Sequence, residues 1–292
     1  MATLPAAAIR RAVRQGLEED LGQGDVTTST LFASSVPARG TIVAQQSLVI
    51  AGMAAAVQTF LAVDPSLQLS VLYRDGARVK RGEILLRIEG DGRSILMAER
   101  LALNFLQSLS GIATLTYRFC RAVQGYSVAI LDTRKTLPGW RALQKWAVAL
   151  GGGTNHRSSL GDAILIKDNH LALLKKQPAV LAACRRVREK TTPTLVTTVE
   201  VETLVQVRQA LRGHADIVLL DNMTPALVRR AVELINGRAQ VEVSGGITLN
   251  NVRAMAAAGA DRISIGALTH SAPAATMNLI LEPCRKGSKE DS

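Results

Sequence analysis

The first third of the chain changes from helical to strand-like spacing of its apolar residues. Ile9, Val13, Leu17 and Leu21 recur every four residues with charged positions between them, which predicts an amphipathic helix over 6–21. Short apolar stretches bounded by glycine and charged turns then predict strands at 40–44, 69–73 and 83–88, with a helix at 53–62. This part is therefore predicted to form a small α+β domain.

From residue 127 onward, short runs rich in Val, Ile and Leu alternate with longer amphipathic stretches. The runs predict strands at 127–131, 163–166, 195–199, 216–220, 240–243 and 262–265. The stretches between them predict helices at 140–150, 177–190, 203–212, 225–236 and 249–258. Because strands that alternate with helices form parallel sheets, these six or seven units predict a complete or incomplete α/β barrel.

A long helix is predicted over 94–122, between these two parts, with Gly111 as a candidate break. Its apolar stripe contains Leu101, Phe105, Leu109 and Ile112. A second stripe has the same spacing but is polar, and it contains Arg100, Asn104, Gln107 and Gly111. A polar stripe on such a helix can simply face solvent, so the pattern alone leaves its function open.

Each predicted strand of the second part ends in a charged or glycine-rich segment. These segments are 132–136, 167–170, 200–202, 221–222, 244–247 and 266–269. In a parallel barrel the carboxyl ends of all strands meet at one mouth, which is where such barrels carry out their chemistry. The segments therefore predict a functional site rather than six unrelated strand boundaries.

The predicted mouth combines three kinds of chemistry. Gly245 and Gly246 precede a helix, and Gly266 follows the last strand, so bare backbone N–H groups could bind phosphate there. Cations suited to carboxylates and phosphates are Arg134, Lys135, His156, Arg157 and Lys167. Glu200 and Asp221 suit ribose hydroxyls or a Mg²⁺ ion carried by a diphosphate, unless each only pairs with a cation. Together they predict a polyanionic substrate that includes a phosphorylated sugar.

The composition restricts the class of protein. The 292 residues are 47% hydrophobic, which is a globular balance sufficient for two domains. The net charge of +11 indicates acidic partners, either nucleic acid or a phosphorylated or carboxylated small molecule. Aromatic residues are only 3% of the chain, which disfavours base stacking.

Several patterns that the sequence lacks bear on the cellular location of the protein and exclude some types of functional site. Three widely spaced cysteines indicate a reducing compartment and no disulfide scaffold. With no apolar run of membrane-spanning length and no signal-peptide pattern at the start, the predicted location is the cytoplasm. Four scattered histidines give no metal-ligand spacing, and neither a Walker motif nor a readable catalytic triad is present.

Several segments of the chain resemble the quinolinate phosphoribosyltransferases. In the second part they are DTRKT at 132–136, NHR at 155–157, KDNH at 167–170, VEVE at 199–202, LLDN at 219–222, SGGI at 244–247 and GALTHS at 266–271. In the first part they are EDLGQGDVT at 19–27 and ERLALNFLQ at 99–107. The resemblance extends in order over nearly the whole chain.

This resemblance implies a fold and a reaction. The family joins an open α/β sandwich domain, here 1–112, to an incomplete, seven-stranded α/β barrel, here 113–273, with 274–292 packing back on the first domain. It transfers phosphoribosyl from phosphoribosyl pyrophosphate to the ring nitrogen of quinolinate. Loss of CO₂ then gives nicotinate mononucleotide and pyrophosphate for NAD biosynthesis. Mg²⁺ accompanies the diphosphate, and the family works as a homodimer or an assembly of dimers.

The resemblance also implies roles for individual residues. Lys135, Lys167, Glu200 and Asp221 are the implied catalytic residues, and the two acids would contact Mg²⁺ indirectly, with the diphosphate. The implied substrate-binding residues are Thr133, Arg134, Lys135, His156, Arg157, Lys167, Glu200, Asp221, Ser244, Gly245, Gly246, Ile265, Gly266 and Ala267, together with Arg100 from the partner subunit. Among these, Arg134, His156 and Arg157 would hold the quinolinate carboxylates with Arg100.

Other interpretations stay open at this point. Thr198 stands where the family often has a third carboxylate, which weakens any role for an acid at that position. Proteins associated with molybdate transport share the barrel and the DTRKT segment, but they are expected to lack the complete NHR and KDNH segments. The hairpin pattern at 72–90 resembles biotinyl and lipoyl carrier domains, yet Lys80-Arg81-Gly82 lacks the expected setting of a modified lysine. A nucleic-acid binder is supported by net charge alone.

Overall fold

The structure is a computed structural model that describes residues 4–174, 177–192 and 194–284. These residues form two compact units. The first unit contains 4–115, 137–151 and 272–284, and the second contains the described residues of 116–136 and 152–271. The predicted division at 112–113 assigned residues 137–151 to the barrel, whereas in the structure they belong to the first unit.

The first unit is built around an antiparallel sheet. Its elements, numbered in chain order with those of the second unit, are α1 (Ala6–Leu21), α2 (Val26–Leu31), β1 (Pro37–Ala44), β2 (Leu48–Val49), α3 (Met53–Val63), β3 (Gln68–Val71), β4 (Arg78–Val79), β5 (Ile84–Asp91), most of α4 (Gly92–Ala122), α5 (Arg141–Leu150) and β12 (Met277–Pro283). The strand order is β12-β1-β5-β3, and β2 pairs with β4 separately. Ile42, Phe60, Leu86 and Leu106 are fully buried in the core of this unit.

The C-terminal segment belongs to the sheet of the first unit. In β12, Met277 pairs with Ala44 at one end of the antiparallel ladder with β1. The segment before it lies against α4, which continues through Gly111 without a break. A Cβ at Gly111 would stand 2.2 Å from the carbonyl oxygen of Pro273, so only glycine allows this approach. Residues 285–292 of the segment predicted to pack here lie outside the described residues.

The polar stripe of α4 contacts this segment as well as solvent. Gln107 Nε2 donates to the carbonyl of Met277 at 2.9 Å, and the Gln107 carbonyl accepts from the N–H of Ala275 at 2.9 Å. Arg100 is exposed on the same helix. Part of the stripe therefore has a structural role that its spacing did not reveal.

The second unit is a parallel α/β sheet with helices between its strands. Its elements are β6 (Ala129–Leu131), β7 (Ile164–Ile166), α6 (Asp168–Leu173), α7 (Ala179–Lys190), β8 (Thr197–Val201), α8 (Leu204–Arg212), β9 (Ile217–Asp221), α9 (Pro225–Ile235), β10 (Gln240–Ser244), α10 (Val252–Ala257), β11 (Arg262–Ser264) and α11 (Ala267–His270). The order is β6-β11-β10-β9-β8-β7, with every pair parallel. Thr154 adds a single parallel bridge to Leu131. The predicted α/β fold class is confirmed, with six strands in the described sheet.

Local signals explain why the helices of this unit begin where they do. The Thr203 side chain accepts from the N–H of Gln206, while the Gln206 side chain returns to Thr203, a reciprocal cap that starts α8. Thr224 caps α9 with Pro225 in its first turn, as the sequence predicts. Thr248 was expected to open the next helix, but α10 begins only after Asn251.

Three short helices, α2, α6 and α11, were not predicted, because four to six residues are too few to show a helical spacing of apolar positions. α2 was part of a region read as strand-like, yet the Asp25 side chain accepts from Thr28 N at 2.9 Å and starts a helical turn. α6 and α11 lie in segments read only as strand ends. Within the described part of the chain, no helix has the length and apolar character needed to cross a membrane.

Candidate active site

The carboxyl ends of the parallel strands surround a cavity of about 670 Å³. Every predicted site residue of the second unit lines it: Thr133, Arg134, Lys135, His156, Arg157, Lys167, Glu200, Asp221, Ser244, Gly245, Gly246, Ile265, Gly266 and Ala267. Segments that are far apart in the sequence therefore meet at one site, as expected for a parallel α/β sheet. Arg100 is a residue of the first unit, where it lines a surface hollow beside Met277–Ile280 in β12.

One wall of the cavity is backbone that only glycine can form. Gly245 and Gly246 follow β10 with φ angles of +92° and +60°. A Cβ at Gly245 would stand 2.1 Å from Asn222 Oδ1, so the loop also lacks room for a side chain. Asn222 donates its backbone N–H to the carbonyl of Ser244 at 2.9 Å and thereby ties this loop to the end of β9. The result is an exposed stretch of backbone suited to an anionic oxygen.

The loop after β6 is fixed so that the Lys135 side chain lies over Gly266, in the loop that follows β11. Thr269 Oγ1 donates to the Lys135 carbonyl at 2.7 Å, and the Lys135 N–H donates to Thr133 Oγ1 at 3.1 Å. A Cβ at Gly266 would stand 3.1 Å from Lys135 Cδ and 3.0 Å from His270 Nε2. Glycine at this position therefore lets the Lys135 side chain cross the loop that follows β11.

Two carboxylates and a lysine form the acidic side of the cavity. Lys167 Nζ lies 2.7 Å from Glu200 Oε2, and the Glu200 side chain is only 13% exposed. Burial, and then the negative charge of Glu200, raise the pKa of Asp221, while Lys167 opposes this effect. Repulsion between the two carboxylates thus disfavours the charged form of Asp221.

Two guanidinium groups, those of Arg134 and Arg157, form a strongly cationic part of the cavity lining. Arg157 Nη1 donates to the carbonyl of Ala163 at 2.9 Å, and its Nε is buried without a hydrogen-bond partner among the described residues. Burial, followed by the nearby charge of Arg134, lowers the pKa of Arg157. Because two adjacent guanidinium groups repel each other, the pair favours an anion with forked oxygen atoms, such as a carboxylate.

His156 lies at the edge of the cavity, but both of its ring nitrogens face the protein. Its Nδ1 accepts from the backbone N–H of Arg157 at 2.8 Å, and its Nε2 lies 3.2 Å from Oε1 of Glu242. The expectation that this imidazole holds a carboxylate of the ligand does not match this geometry. The His156 ring instead connects the Arg157 backbone to a buried acid.

Sequence reasoning missed several residues of this site. Glu242, Asn222, Ser264 and His270 either line the cavity or contact residues that do. Glu242 had a detectable signal, because it is a charged residue inside the otherwise buried strand β10. Its neighbours Val241 and Val243 are apolar, so the alternation along a parallel strand could have indicated a polar contact inside the barrel.

These features define a class of protein: an α/β-barrel protein whose mouth combines two neighbouring arginines, two carboxylates and a glycine-rich wall of backbone. The comparison with protein families gives the particular family. The model for the quinolinate phosphoribosyl transferase C-terminal domain matches residues 112–280, and the model for the N-terminal domain matches 25–110. The chain belongs to the quinolinate phosphoribosyltransferase family.

Individual relatives agree over most of their length. The nicotinate-nucleotide pyrophosphorylase [carboxylating] of Mycobacterium leprae is 42% identical over 270 residues, which cover 90% of this chain and 94% of the relative. The structure of a nicotinate-nucleotide pyrophosphorylase from Francisella tularensis matches with a TM-score of 0.90 at 36% identity, covering 96% and 98% of the two chains. The structure of NadC from Streptococcus pyogenes matches with a TM-score of 0.91 at 34% identity, covering 98% and 100%.

Proposed function

We propose that this protein transfers the phosphoribosyl group of phosphoribosyl pyrophosphate to the ring nitrogen of quinolinate. Loss of the 2-carboxylate as CO₂ would then give nicotinate mononucleotide and pyrophosphate for NAD biosynthesis. The observation that carries the proposal is the composition of the cavity, which is lined by two guanidinium groups, a glycine-rich stretch of backbone and two carboxylates. A pyridine dicarboxylate and a phosphorylated sugar need these two chemistries side by side.

Quinolinate would bind on the cationic side. Arg134 and Arg157 present planar, forked donors that match its two adjacent carboxylates, and binding a dianion would relieve the repulsion between them. Lys167 would add a point charge once substrate competes with Glu200 for its ammonium group. The bound ring would then direct its nitrogen lone pair towards the sugar, and no general base is needed to activate it.

Phosphoribosyl pyrophosphate would bind on the glycine side. Its 5′-phosphate would accept hydrogen bonds from backbone N–H groups of 244–246 and 265–267, a wall that the strained glycine at 245 keeps open. Lys135 and Lys167 would approach the pyrophosphate, and Glu200 and Asp221 would contact the ribose hydroxyls. This arrangement would hold the anomeric carbon near the pyridine nitrogen, which converts a bimolecular reaction into a positioned one.

Mg²⁺ fits the donor set at this position, as a partner of the diphosphate. Glu200 and Asp221 are two neighbouring carboxylates, and the described residues contain no cluster of three or more metal-ligating side chains that would hold an ion alone. Mg²⁺ is commonly held by one or two carboxylates together with substrate phosphates. When bound, the ion would neutralise charge that develops on the pyrophosphate leaving group.

The two chemical steps of the proposed reaction develop charge at different atoms of the substrates. Cleavage of the ribose–pyrophosphate bond leaves positive charge on the sugar and negative charge on the leaving group. Glu200 and Asp221 would stabilise the former, and Lys135 and Lys167 the latter. In the second step the carbon–carboxylate bond breaks, and its electron pair stays on the ring carbon beside the cationic nitrogen until that carbon takes up a proton from solvent. Removal of water from the departing carboxylate would favour this step.

The proposal includes a homodimer, or an assembly of dimers, in the cytoplasm. Arg100 is exposed on α4 of the first unit, where it is available to a second copy of the chain. In the assembly that the family resemblance implies, it would complete the quinolinate site of the partner subunit. The widely spaced cysteines of the sequence support the reducing compartment.

The test is a product assay with the purified protein. Quinolinate, phosphoribosyl pyrophosphate and Mg²⁺ are incubated with it, and nicotinate mononucleotide is followed by chromatography, with nicotinate replacing quinolinate in a parallel reaction. We expect product from quinolinate alone, its loss in Arg134→Ala and its retention in Arg229→Ala, an exposed arginine on α9. A folded dimer that forms no product from either acid would overturn the proposal and favour the molybdate-associated alternative.

A further inference from the structure

A carboxylate that no part of the proposed mechanism uses is buried inside the barrel. The side chain of Glu242 on β10 is fully buried, and both of its oxygens have charged or polar neighbours. Oε1 lies 3.2 Å from His156 Nε2 and accepts a short hydrogen bond from Ser264, while Oε2 lies 3.1 Å from Arg262 Nε. Burial disfavours its charged form, but the contacts with His156, Ser264 and Arg262 hold the pKa of Glu242 below its usual range.

The hydrogen bonds around His156 fix which of its nitrogens carries the proton. The backbone N–H of Arg157 donates to Nδ1, so Nδ1 must present a lone pair. A neutral ring then carries its proton on Nε2, which faces Glu242 Oε1. The carboxylate therefore sets both the tautomer and the rotation of the imidazole, as acidic partners do for histidines in metal and catalytic sites.

The contacts that lead from Glu242 through His156 reach Arg157, a residue proposed to bind quinolinate. The loop after Thr154 is held at two points, because Asp132 Oδ1 accepts from the His156 N–H at 2.9 Å and the His156 ring accepts from the Arg157 N–H. If the ring were free to turn, the second point would be lost. The Arg157 backbone would then lose this contact, and the hydrogen bond from its guanidinium group to the Ala163 carbonyl would remain to hold the side chain.

We propose that Glu242 is a positioning residue that acts through His156 to hold Arg157 in the geometry required by the 2,3-dicarboxylate of quinolinate. This rests on the proposed function. Removing one partner of a buried charged pair is itself destabilising, so the role of Glu242 in positioning has to be separated by experiment from its contribution to folding stability.

Kinetics of a near-isosteric variant test the proposal. Glu242→Gln keeps the shape, but it removes the negative charge that faces His156 and Arg262 and turns one acceptor oxygen into a donor amide. We expect the KM and the dissociation constant for quinolinate to rise by about tenfold to a hundredfold, and the KM for phosphoribosyl pyrophosphate to stay within about twofold. Quinolinate binding is measured by calorimetric titration of the intact assembly, so that it does not depend on turnover. An equal rise for both substrates, or no change for quinolinate, would overturn the inference.

A matched control separates positioning from loss of stability. Thr59 is a fully buried polar residue of the first unit whose Oγ1 donates to the Ala55 carbonyl at 2.9 Å. Thr59→Val removes a buried hydrogen bond elsewhere and should leave both KM values within about twofold of the unsubstituted protein. If Thr59→Val also raised the KM for quinolinate selectively, the effect of Glu242→Gln would reflect a general loss of stability, and the positioning role would be overturned.

A double-mutant cycle tests whether the effect passes through His156. In a His156→Gln background, Glu242→Gln should change the quinolinate constants by less than about threefold, because the connection is already broken. Additive effects would show that Glu242 acts by another route. If the unsubstituted protein does not turn over quinolinate, it is the proposed function that fails, and the positioning role is then judged on the binding constants alone.

The tautomer can be measured without any variant at Glu242. In protein labelled with ¹⁵N-histidine, the ring signals assigned to His156 by comparison with His156→Gln should report a proton on Nε2 and a lone pair on Nδ1. A proton on Nδ1, or a rapidly exchanging mixture, would contradict the connection. This measurement keeps the proposal falsifiable even if Glu242→Gln folds poorly.

Discussion

Lys167 Nζ lies 2.7 Å from Glu200 Oε2 at the mouth of the barrel, so a predicted catalytic cation and a predicted catalytic anion pair with each other. Lys167 remains 46% exposed, which leaves its ammonium group accessible to a ligand. Lys167 directly follows β7, and Glu200 lies on β8. These two strands are adjacent and parallel. Substrate binding would have to redirect this lysine from Glu200 towards a carboxylate or pyrophosphate.

Breaking this ion pair should therefore affect activity far more than stability. We expect Lys167→Ala and Glu200→Gln each to lower kcat by about a hundredfold or more, because a fixed charge is lost from the transition state. Because the Lys167 side chain is 46% exposed and screened by solvent, the pair should contribute only about 1 kcal/mol to folding, and the thermal midpoint should move by no more than a few degrees. Steady-state kinetics and thermal unfolding of the same preparations check both expectations.

The exposed pair of Arg39 and Glu89 provides the control. Their side chains lie 2.8 Å apart on the antiparallel sheet of the first unit, outside the cavity. Arg39→Ala should leave both kcat and the thermal midpoint nearly unchanged. A large loss of stability in Lys167→Ala would contradict the view that this pair is kept for its chemistry.

The glycine wall makes a second prediction. Gly245→Ala would place a methyl group against Asn222 in a backbone conformation with φ +92°. The loop would have to move, and with it the N–H groups proposed to bind the 5′-phosphate, so the KM for phosphoribosyl pyrophosphate should rise by about tenfold or more. Gly237 has a φ of +71° but open space around it, so Gly237→Ala measures strain alone, about 1–2 kcal/mol, without a kinetic effect. Equal kinetic effects in the two variants would contradict the phosphate assignment.

The pH dependence of substrate binding should reflect Asp221. Burial and the nearby Glu200 raise the pKa of Asp221, so this carboxylate becomes protonated at a higher pH than an ordinary aspartate. As the pH falls through that raised value, the negative charge proposed to contact ribose and Mg²⁺ is lost. The KM for phosphoribosyl pyrophosphate should therefore increase on the acidic side, with a midpoint above the normal aspartate range.

Removing the neighbouring charge tests the cause of this shift. In Glu200→Gln the burial of Asp221 remains but the repulsion is gone, so the acidic limb should move to lower pH. The residual activity or binding of this variant is followed across the acidic range and compared with the unsubstituted protein. If the acidic limb of the pH profile stays in place or moves to higher pH in Glu200→Gln, a group other than Asp221 causes it.

The sequence was sufficient to predict the mouth, because its residues follow short buried strands whose ends must meet in a parallel sheet. Asp221 and Gly245, for example, are adjacent in sequence to β9 and β10 and needed no tertiary information. The same reasoning could not reveal that the His156 ring faces inward, since that depends on a buried acid from a strand 86 positions further along the chain, at Glu242. Contacts of that kind are set by side-chain packing inside the barrel.

The first unit was less predictable, because its irregular parts depend on single contacts. Asp25 starts α2 by one side-chain hydrogen bond, and β12 joins the sheet from a segment that has no strong strand pattern. Gly111 looked like a helix break, yet it lies inside a continuous helix and admits the carbonyl of Pro273. A glycine that permits close backbone approach and one that ends a helix have the same sequence signal.

The last prediction concerns Arg100, which the resemblance assigns to the neighbouring subunit's site. Arg100→Ala and Arg134→Ala should each be nearly inactive, since each removes one guanidinium from quinolinate binding. If Arg100 acts across the dimer, a mixed dimer has one barrel with Arg134 intact that receives Arg100 from its partner. Unfolding and refolding the two variants together in equal amounts should then restore about a quarter of the unsubstituted activity, because half of the dimers are mixed and each has one complete site. If Arg100 acts in the site of its own chain, the refolded mixture stays inactive. If activity returns when the two variants are mixed without subunit exchange, Arg100 acts neither in its own site nor in the partner's site as proposed.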